Sequence, residues 1–169
     1  MAAFEYAPLS ADDDIRLLQV DGLAPDGSLL CSIFAVHRRD LLDGLTYTAL
    51  TYRWGDLNDA GALQMRNGED TDDDRGPYRW KALPLSTLAM LKDLYLNVWI
   101  AKAYMWIDDF CLNQVDVSEK NAQVKHMGSI YALADKVIVY AGPEVPDTGL
   151  AVAFWNRLHN VFESMPQRG

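Results

Sequence analysis

Asp108, Asp109, Asn113 and Gln114 follow directly on the apolar run Tyr104-Met-Trp-Ile107. That placement puts two carboxylates and two primary amides just beyond the carboxyl end of a predicted strand, where an open α/β sheet holds its ligands. A carboxylate near an anomeric carbon stabilises a cationic sugar, which is the requirement of glycosidic cleavage. Side-chain amides such as Asn113 and Gln114 offer paired donors and acceptors to a base edge or a phosphate. Each group also has an ordinary use: a strand-end aspartate accepts backbone N–H bonds from the next loop, and an amide satisfies the backbone of a tight turn.

The surrounding pattern says what must position these groups. After the polar stretch, Asp116 and Glu119 have the spacing of a capping box, which opens a helix with Val124, Met127, Tyr131 and Ala134 as its buried face. Lys136-Val-Ile-Val-Tyr140 then reads as a strand that ends at Gly142-Pro143. Strand, helix and strand in that order predict a right-handed parallel crossover. Upstream, Ile15 to Val20 and Leu29 to Val36 flank the turn tripeptide Pro25-Asp26-Gly27, which predicts an antiparallel pair at the N-terminal edge. Tyr47 to Tyr52 is a Thr/Tyr-rich strand that stops at Trp54-Gly55-Asp56, and Asn67-Gly68 is a hairpin signal. The acidic run Glu69 to Asp74 reads as a solvated loop without the glycine and glutamate placement of a calcium site. Leu88, Leu91, Tyr95 and Val98 give a further core-facing helix, and Leu150 to Phe162 a closing one.

Composition excludes several classes. With 169 residues, half of them hydrophobic, a single domain is expected. A formal charge of −9 argues against nucleic acid and anionic membrane surfaces. No apolar stretch reaches bilayer length, and the N-terminus lacks a signal-peptide pattern. Cys31 and Cys111 belong to no metal or redox motif, so two free thiols in a reducing, intracellular setting are expected. No metal site and no resident cofactor is predicted. Neither a Walker motif nor GxGxxG occurs, which disfavours ATP hydrolysis and ordinary dehydrogenase chemistry. A Cys111 nucleophile with His126 as base lacks an orienting third group, and His37 beside two arginines reads as exposed surface.

Three ordered blocks carry a resemblance: Tyr47-Thr-Ala-Leu-Thr-Tyr-Arg-Trp-Gly-Asp56, Trp106-Ile-Asp-Asp-Phe-Cys-Leu-Asn-Gln114, and Glu119 through Gln123, Met127 and Tyr131 to Gly142. Together they resemble the fungal heterokaryon-incompatibility (HET) domain, which is itself distantly similar to Toll/interleukin-1-receptor (TIR) domains. The resemblance implies a cytoplasmic module of self/non-self recognition that triggers programmed cell death. Its partners would be further copies of itself or other cell-death signalling proteins. It implies an α/β fold, TIR/flavodoxin-like, with a central, mainly parallel sheet flanked by helices and the antiparallel N-terminal edge. The expected organisation is one domain over 1–169: N-terminal strands to 46, a family core over 47–142 and a closing helix over 143–169.

TIR-type relatives either assemble as adaptors or cleave NAD, so both modes carry over as expectations. In the enzymatic one, Asp108 or Glu119 is the catalytic carboxylate. Asp56 orients a ribose, Trp54 beside Gly55 stacks on a ring, and Asn113 and Gln114 contact the ligand. Asp56 otherwise caps its loop or pairs with Arg53, Glu119 otherwise completes the capping box, and Trp106 inside its apolar strand otherwise fills the core. The chain departs from the pattern at Asp109, where the family has a small or apolar residue, and strand alternation would send Asp108 and Asp109 to opposite faces. It also has no glutamate on the stretch 147–158, where TIR-type cleavage needs one. Glu144 lies in the preceding loop.

Overall fold

The structure is a computed structural model that describes residues 2–53, 58–68, 76–97, 100, 102–142, 148–149 and 153. Its first two strands, β1 (Ile15–Leu23) and β2 (Leu29–Val36), pair antiparallel from Ile15↔Val36 to Leu23↔Leu29. The predicted turn closes them. Asp26 Oδ1 accepts from the Ser28 N–H at 2.9 Å and the Ser28 hydroxyl at 2.6 Å, and Gly27 takes φ +79°. Glycine adopts that left-handed angle without a Cβ clash.

This hairpin is not an edge. β3 (Thr48–Tyr52), β4 (Ala60–Asn67), β5 (Arg79–Pro84), β6 (Met105–Trp106) and β7 (Lys136–Tyr140) complete a seven-stranded sheet in the order β5-β4-β2-β1-β6-β3-β7. The expected antiparallel edge therefore lies in the middle, because β4 adds to β2 in parallel and β5 pairs antiparallel beyond it. The burial of β1 is consistent with this place: Ile15, Leu17, Leu18 and Val20 are all covered, so the strand is apolar on both faces. The sheet is mixed rather than mainly parallel. Parallel pairing joins β2 to β4 and sets β3 between β6 and β7, whereas the longest ladders, β1–β2 and β4–β5, are antiparallel. The short turn between β1 and β2 can only fold the chain back on itself, whereas the parallel pairs β2–β4, β3–β6 and β3–β7 are all joined by long stretches of chain that allow a return in the same direction.

The helices are α1 (Arg38–Leu42), α2 (Leu85–Leu96), the single turn α3 (Asp108–Cys111) and α4 (Val117–Leu133). α2 buries Thr87, Met90, Leu91 and Leu94, a stripe rotated slightly from the predicted one, with Leu88 and Tyr95 half-buried beside it. On α4 the fully buried positions are Gln123 and Ile130. Met127, Tyr131 and Ala134 pack against the core as expected, but Val124 is 49% exposed. Its place is taken by Gln123, whose amide ties the helix to the chain entering β1. Among the described residues no helix is long and apolar enough to cross a membrane.

The expected β4–β5 pairing forms, yet Asn67-Gly68 is not its two-residue turn, since β5 begins only at Arg79. Gly68 instead permits a close approach. Its N–H donates to Ile33 O at 2.7 Å, and a Cβ there would lie 2.3 Å from the Phe34 ring. Phe34 is buried and packed edge-on against Tyr104 with ring centroids 5.4 Å apart, so it has little room to give. Gly68→Ala should cost ~1–3 kcal/mol of stability by this overpacking, read as a lower urea midpoint at unchanged m-value.

Candidate functional site

The strand order β6-β3-β7 puts the earliest of three parallel strands in the middle, the arrangement in which open sheets place ligands beyond the carboxyl ends. Tyr52 ends β3, and Ile107 with Asp108 follows β6 at that side. The candidate region is therefore where it was expected, but the backbone there is different. Asp108 and Asp109 occupy the first turn of α3 rather than an extended strand, so the alternation argument does not apply to them. Asp108 Oδ1 accepts from the Asp109 N–H at 2.8 Å, and the Asp108 carbonyl accepts from Leu112 N–H and, at 3.3 Å, from Gln114 Nε2. Acidic residues in a first turn also suit the helix dipole.

Glu119 departs from its capping-box reading. Asp116 does cap α4, its Oδ1 accepting from the Glu119 N–H at 3.0 Å, but the Glu119 side chain turns inward. It meets Arg16 of β1 through two bonds, Nη1 donating to Oε1 at 2.5 Å and Nη2 to Oε2 at 2.9 Å. Oε1 also accepts from the Asn113 N–H at 3.0 Å. Arg16 is 2% exposed, and its remaining hydrogens go to Ala7 O at 2.7 Å and Cys111 O at 3.5 Å, with its plane over the Tyr6 ring. Both oxygens of Glu119 are thus occupied. A polar cavity of about 630 Å³ lies beside this pair, lined by Ser10, Asp12, Asp116 and Gln123 among others. Gln123 donates to the carbonyls of Asp14 at 2.7 Å and Asp12 at 3.2 Å, which fixes the cavity's rim.

A second cluster stands across α3. Asp109 is half-buried, and burial raises its carboxyl above the ordinary carboxylate range against the pull of the Lys81 ammonium. Lys81 on β5 is itself lowered by burial, with Nζ 5.1 Å from the Tyr6 ring centre and 5.9 Å from that of Phe110. The Tyr52 hydroxyl faces Asp109 and Thr87 without a hydrogen bond of good geometry to either, and burial pushes its phenol up. Groups displaced by burial next to a specific charge partner mark functional regions. Lys81, Tyr52 and Arg16 carried no sequence signal beyond a charge or phenol inside an otherwise apolar strand. Asp109 did carry one, as a carboxylate where the family has a small residue.

Other expected residues resolve plainly. Trp106 is fully buried and packs edge-on against Tyr131, so it fills the core. Cys111 is also buried. Its Sγ accepts from the Ile107 N–H, and burial pushes the thiol up to about 12, which removes it as a nucleophile. Both cysteines are free, and no cluster of metal-ligating side chains occurs among the described residues. His37 is less of a bystander than expected: it caps α1, and its Nδ1 lies 2.6 Å from Oδ1 of the buried Asp14. Trp54, Gly55, Asp56, Glu144, the acidic run and nearly all of the closing helix lie outside the described residues.

The sheet and its carboxyl-end cluster define the class: a mixed α/β domain with a cluster of polar side chains just beyond the ends of β3 and β6. Residues 47–168 match the heterokaryon incompatibility protein (HET) family, and the chain belongs to it. Over 148 residues it is 34% identical to heterokaryon incompatibility protein 6, OR allele, of Neurospora crassa, a span covering 86% of this chain and 22% of that protein. The chain therefore spans about a fifth of the length of this relative. No solved structure matches it.

Two substitutions separate brace from site. Glu119→Gln leaves a buried guanidinium without its anion and should cost ~3–5 kcal/mol, measured by urea unfolding. Asp109→Asn should behave oppositely. A carboxyl whose folded pKa is raised favours the fold while protonated, and that contribution is lost as pH climbs through the folded value. The Asn variant should thus be at least as stable as the parent at pH 7. Its advantage should vanish below the ordinary carboxylate value of 3.8 when melting is followed across pH.

Proposed function

We propose that this domain is a self/non-self recognition module of heterokaryon incompatibility that triggers programmed cell death in the cytoplasm, and that it signals by self-association rather than by hydrolysing NAD. The family supports the biological role, and the name of the Neurospora crassa relative describes the same process. One observation carries the choice of mode: Glu119 accepts two hydrogen bonds from the buried Arg16 and one from the Asn113 N–H, so drawing its charge to a ligand would strand the guanidinium. A carboxylate that must stabilise a developing cation cannot also neutralise a buried guanidinium.

Assembly finds support at the other end of the sheet. The outer edge of β5 is bridged by the N-terminal segment, through Ala3↔Trp80 and Phe4 N–H to Trp80 O. β7 has no strand on its outer side among the described residues, and it presents Val137 and Val139, the latter 72% exposed. An open edge with an apolar face is a template for pairing with another copy. Counted among themselves, β6-β3-β7 have the 2-1-3 order that opens flavodoxin-like sheets, with β4 and β5 inserted between the first two, which supports the TIR-like reading of the core.

Val139→Lys should abolish self-association in light scattering and cell killing on expression in a fungal host, with the melting temperature kept. Purified chain held at assembling concentration with NAD should release no nicotinamide. Release that an Asp108→Asn variant eliminates would overturn the non-enzymatic reading, and killing by a monomeric Val139→Lys variant would overturn assembly.

A further inference from the structure

Lys81 occupies a position where the sheet buries its other side chains. On β5 it shares a face with the buried Leu83, and across the ladder it stands opposite the buried Leu63. A lysine in such a place ordinarily lays its stem along the apolar surface and carries its head out to water. Here the head stops short: Nζ lies 5.1 Å from the centre of the Tyr6 ring and 5.9 Å from that of the buried Phe110 ring. Among the described residues it makes no hydrogen bond and no ion pair, and it is not one of the fully enclosed polar atoms left without a partner, so it is open to the space around it. That space is a cleft of about 400 Å³ between the N-terminal segment, β5 and the loop after α3, walled also by Phe4, Glu5, Tyr6 and Trp80.

The groups around Nζ set its protonation. Burial is the largest influence and pulls the ammonium below the ordinary lysine range, while the Asp109 carboxyl of α3 pulls the other way. That carboxyl is itself raised by burial, so it offers less charge than an exposed one. Cys111 on the same helix is a neutral thiol, pushed up to about 12 by burial. Tyr6 is a neutral phenol, also pushed up by burial, and its ring face attracts a cation only weakly near the ~6 Å limit of such contacts. Glu5 reaches the cleft from the N-terminal segment, is exposed, and forms no ion pair with Lys81. Lys81 is thus nearer to its free, nucleophilic amine than an exposed lysine is. A desolvated lysine beside aromatic walls is the setting in which amines condense with carbonyl compounds.

We propose that Lys81 captures a small, uncharged aldehyde as a Schiff base in this cleft, with Phe4, Tyr6 and Trp80 receiving the apolar body of the ligand. The nitrogen lone pair attacks the carbonyl carbon to give a carbinolamine. As the C=N bond forms, the C–O bond breaks, and the two protons of the amine leave with that oxygen as water, so no oxidant or reductant is consumed. An anionic carbonyl compound fits less well, because Glu5 and Asp109 set two carboxyl groups against one amine. β5 and β7 are opposite edges of the sheet, so capture at Lys81 neither requires nor excludes signalling by assembly.

The test is incubation of the 169-residue chain with benzaldehyde and sodium cyanoborohydride, which reduces a Schiff base to a stable amine, followed by peptide mapping. At about pH 7, Lys81 should take up the benzyl group about tenfold or more faster than any of the other five lysines, stacking in the cleft adding to a freer amine. Mapping separates Lys81 from the α-amino group, which is also partly free at that pH. The lead should narrow at about pH 10, where exposed lysines lose their protons as well. Glyoxylate, an anionic aldehyde, should show no such preference for Lys81. In Lys81→Arg the fast adduct should be absent while the remaining lysines label as before. Benzaldehyde labelling of Lys81 no faster than of the other lysines, or an equal preference with glyoxylate, would overturn the proposal. If Lys81→Arg does not fold, the map of the unaltered chain decides it alone.

Discussion

A guanidinium enclosed in the central strand of a sheet must be neutralised and fully hydrogen-bonded, and the architecture around Arg16 follows from that demand. Its five hydrogens cannot be satisfied by neighbouring strands, whose backbone groups are committed to the ladder. Four of them are met instead by Glu119 at the start of α4, the Cys111 carbonyl at the end of α3 and the Ala7 carbonyl of the N-terminal segment. The N-terminal segment and two pieces of chain remote in sequence are thereby pinned to β1. Burying such a pair brings little net stability, but it is a demanding device for specificity, since any other docking of α4 strands the charge.

That clamp also sets the geometry of the loop 112–116. Glu119 Oε1 holds the Asn113 N–H, Asp116 caps the helix, and Gln114 bonds back to Asp108, so the loop is braced from both sides. The amide side chains are left at the rim of the cleft while the carboxylates are used inside. Lys81 and Asp109 form the polar centre of the adjoining region, where burial disfavours both charges at once.

Membership of the HET family and the arrangement of the sheet bear on different questions. The family match begins at Tyr47 and leaves the N-terminal hairpin outside, yet β1 and β2 supply the middle of the sheet and Arg16 itself. The matched region is therefore not a self-sufficient folding unit in this structure: α4 depends on a residue that precedes the family core. Cys31, Leu29 and Ile33 of β2 likewise share one continuous core with Leu63, Met65 and Trp106 of the family region.

Much was legible in the residues alone because it depends on short-range rules. The β1–β2 turn, the Asp116 cap, the parallel crossover from β6 to β7, burial of Trp106 and the family itself all rest on local spacing or ordered motif blocks. The sheet's order and the partner of each carboxylate were not legible. Strand pairing is decided by which faces can be buried together, and the consecutive apolar pair Leu17-Leu18 hinted at a two-sided strand without naming its neighbours. Glu119 could equally well have reached back to its own helix cap, and only Arg16, distant in sequence but adjacent in space, settled its direction. Sequence determined the elements, their caps and the family, because those follow from neighbours along the chain. Tertiary structure alone decided that Glu119 pairs with Arg16 and that Lys81, Tyr6, Asn113 and Gln114 line one cleft, because charge satisfaction and enclosure exist only between segments brought together by folding.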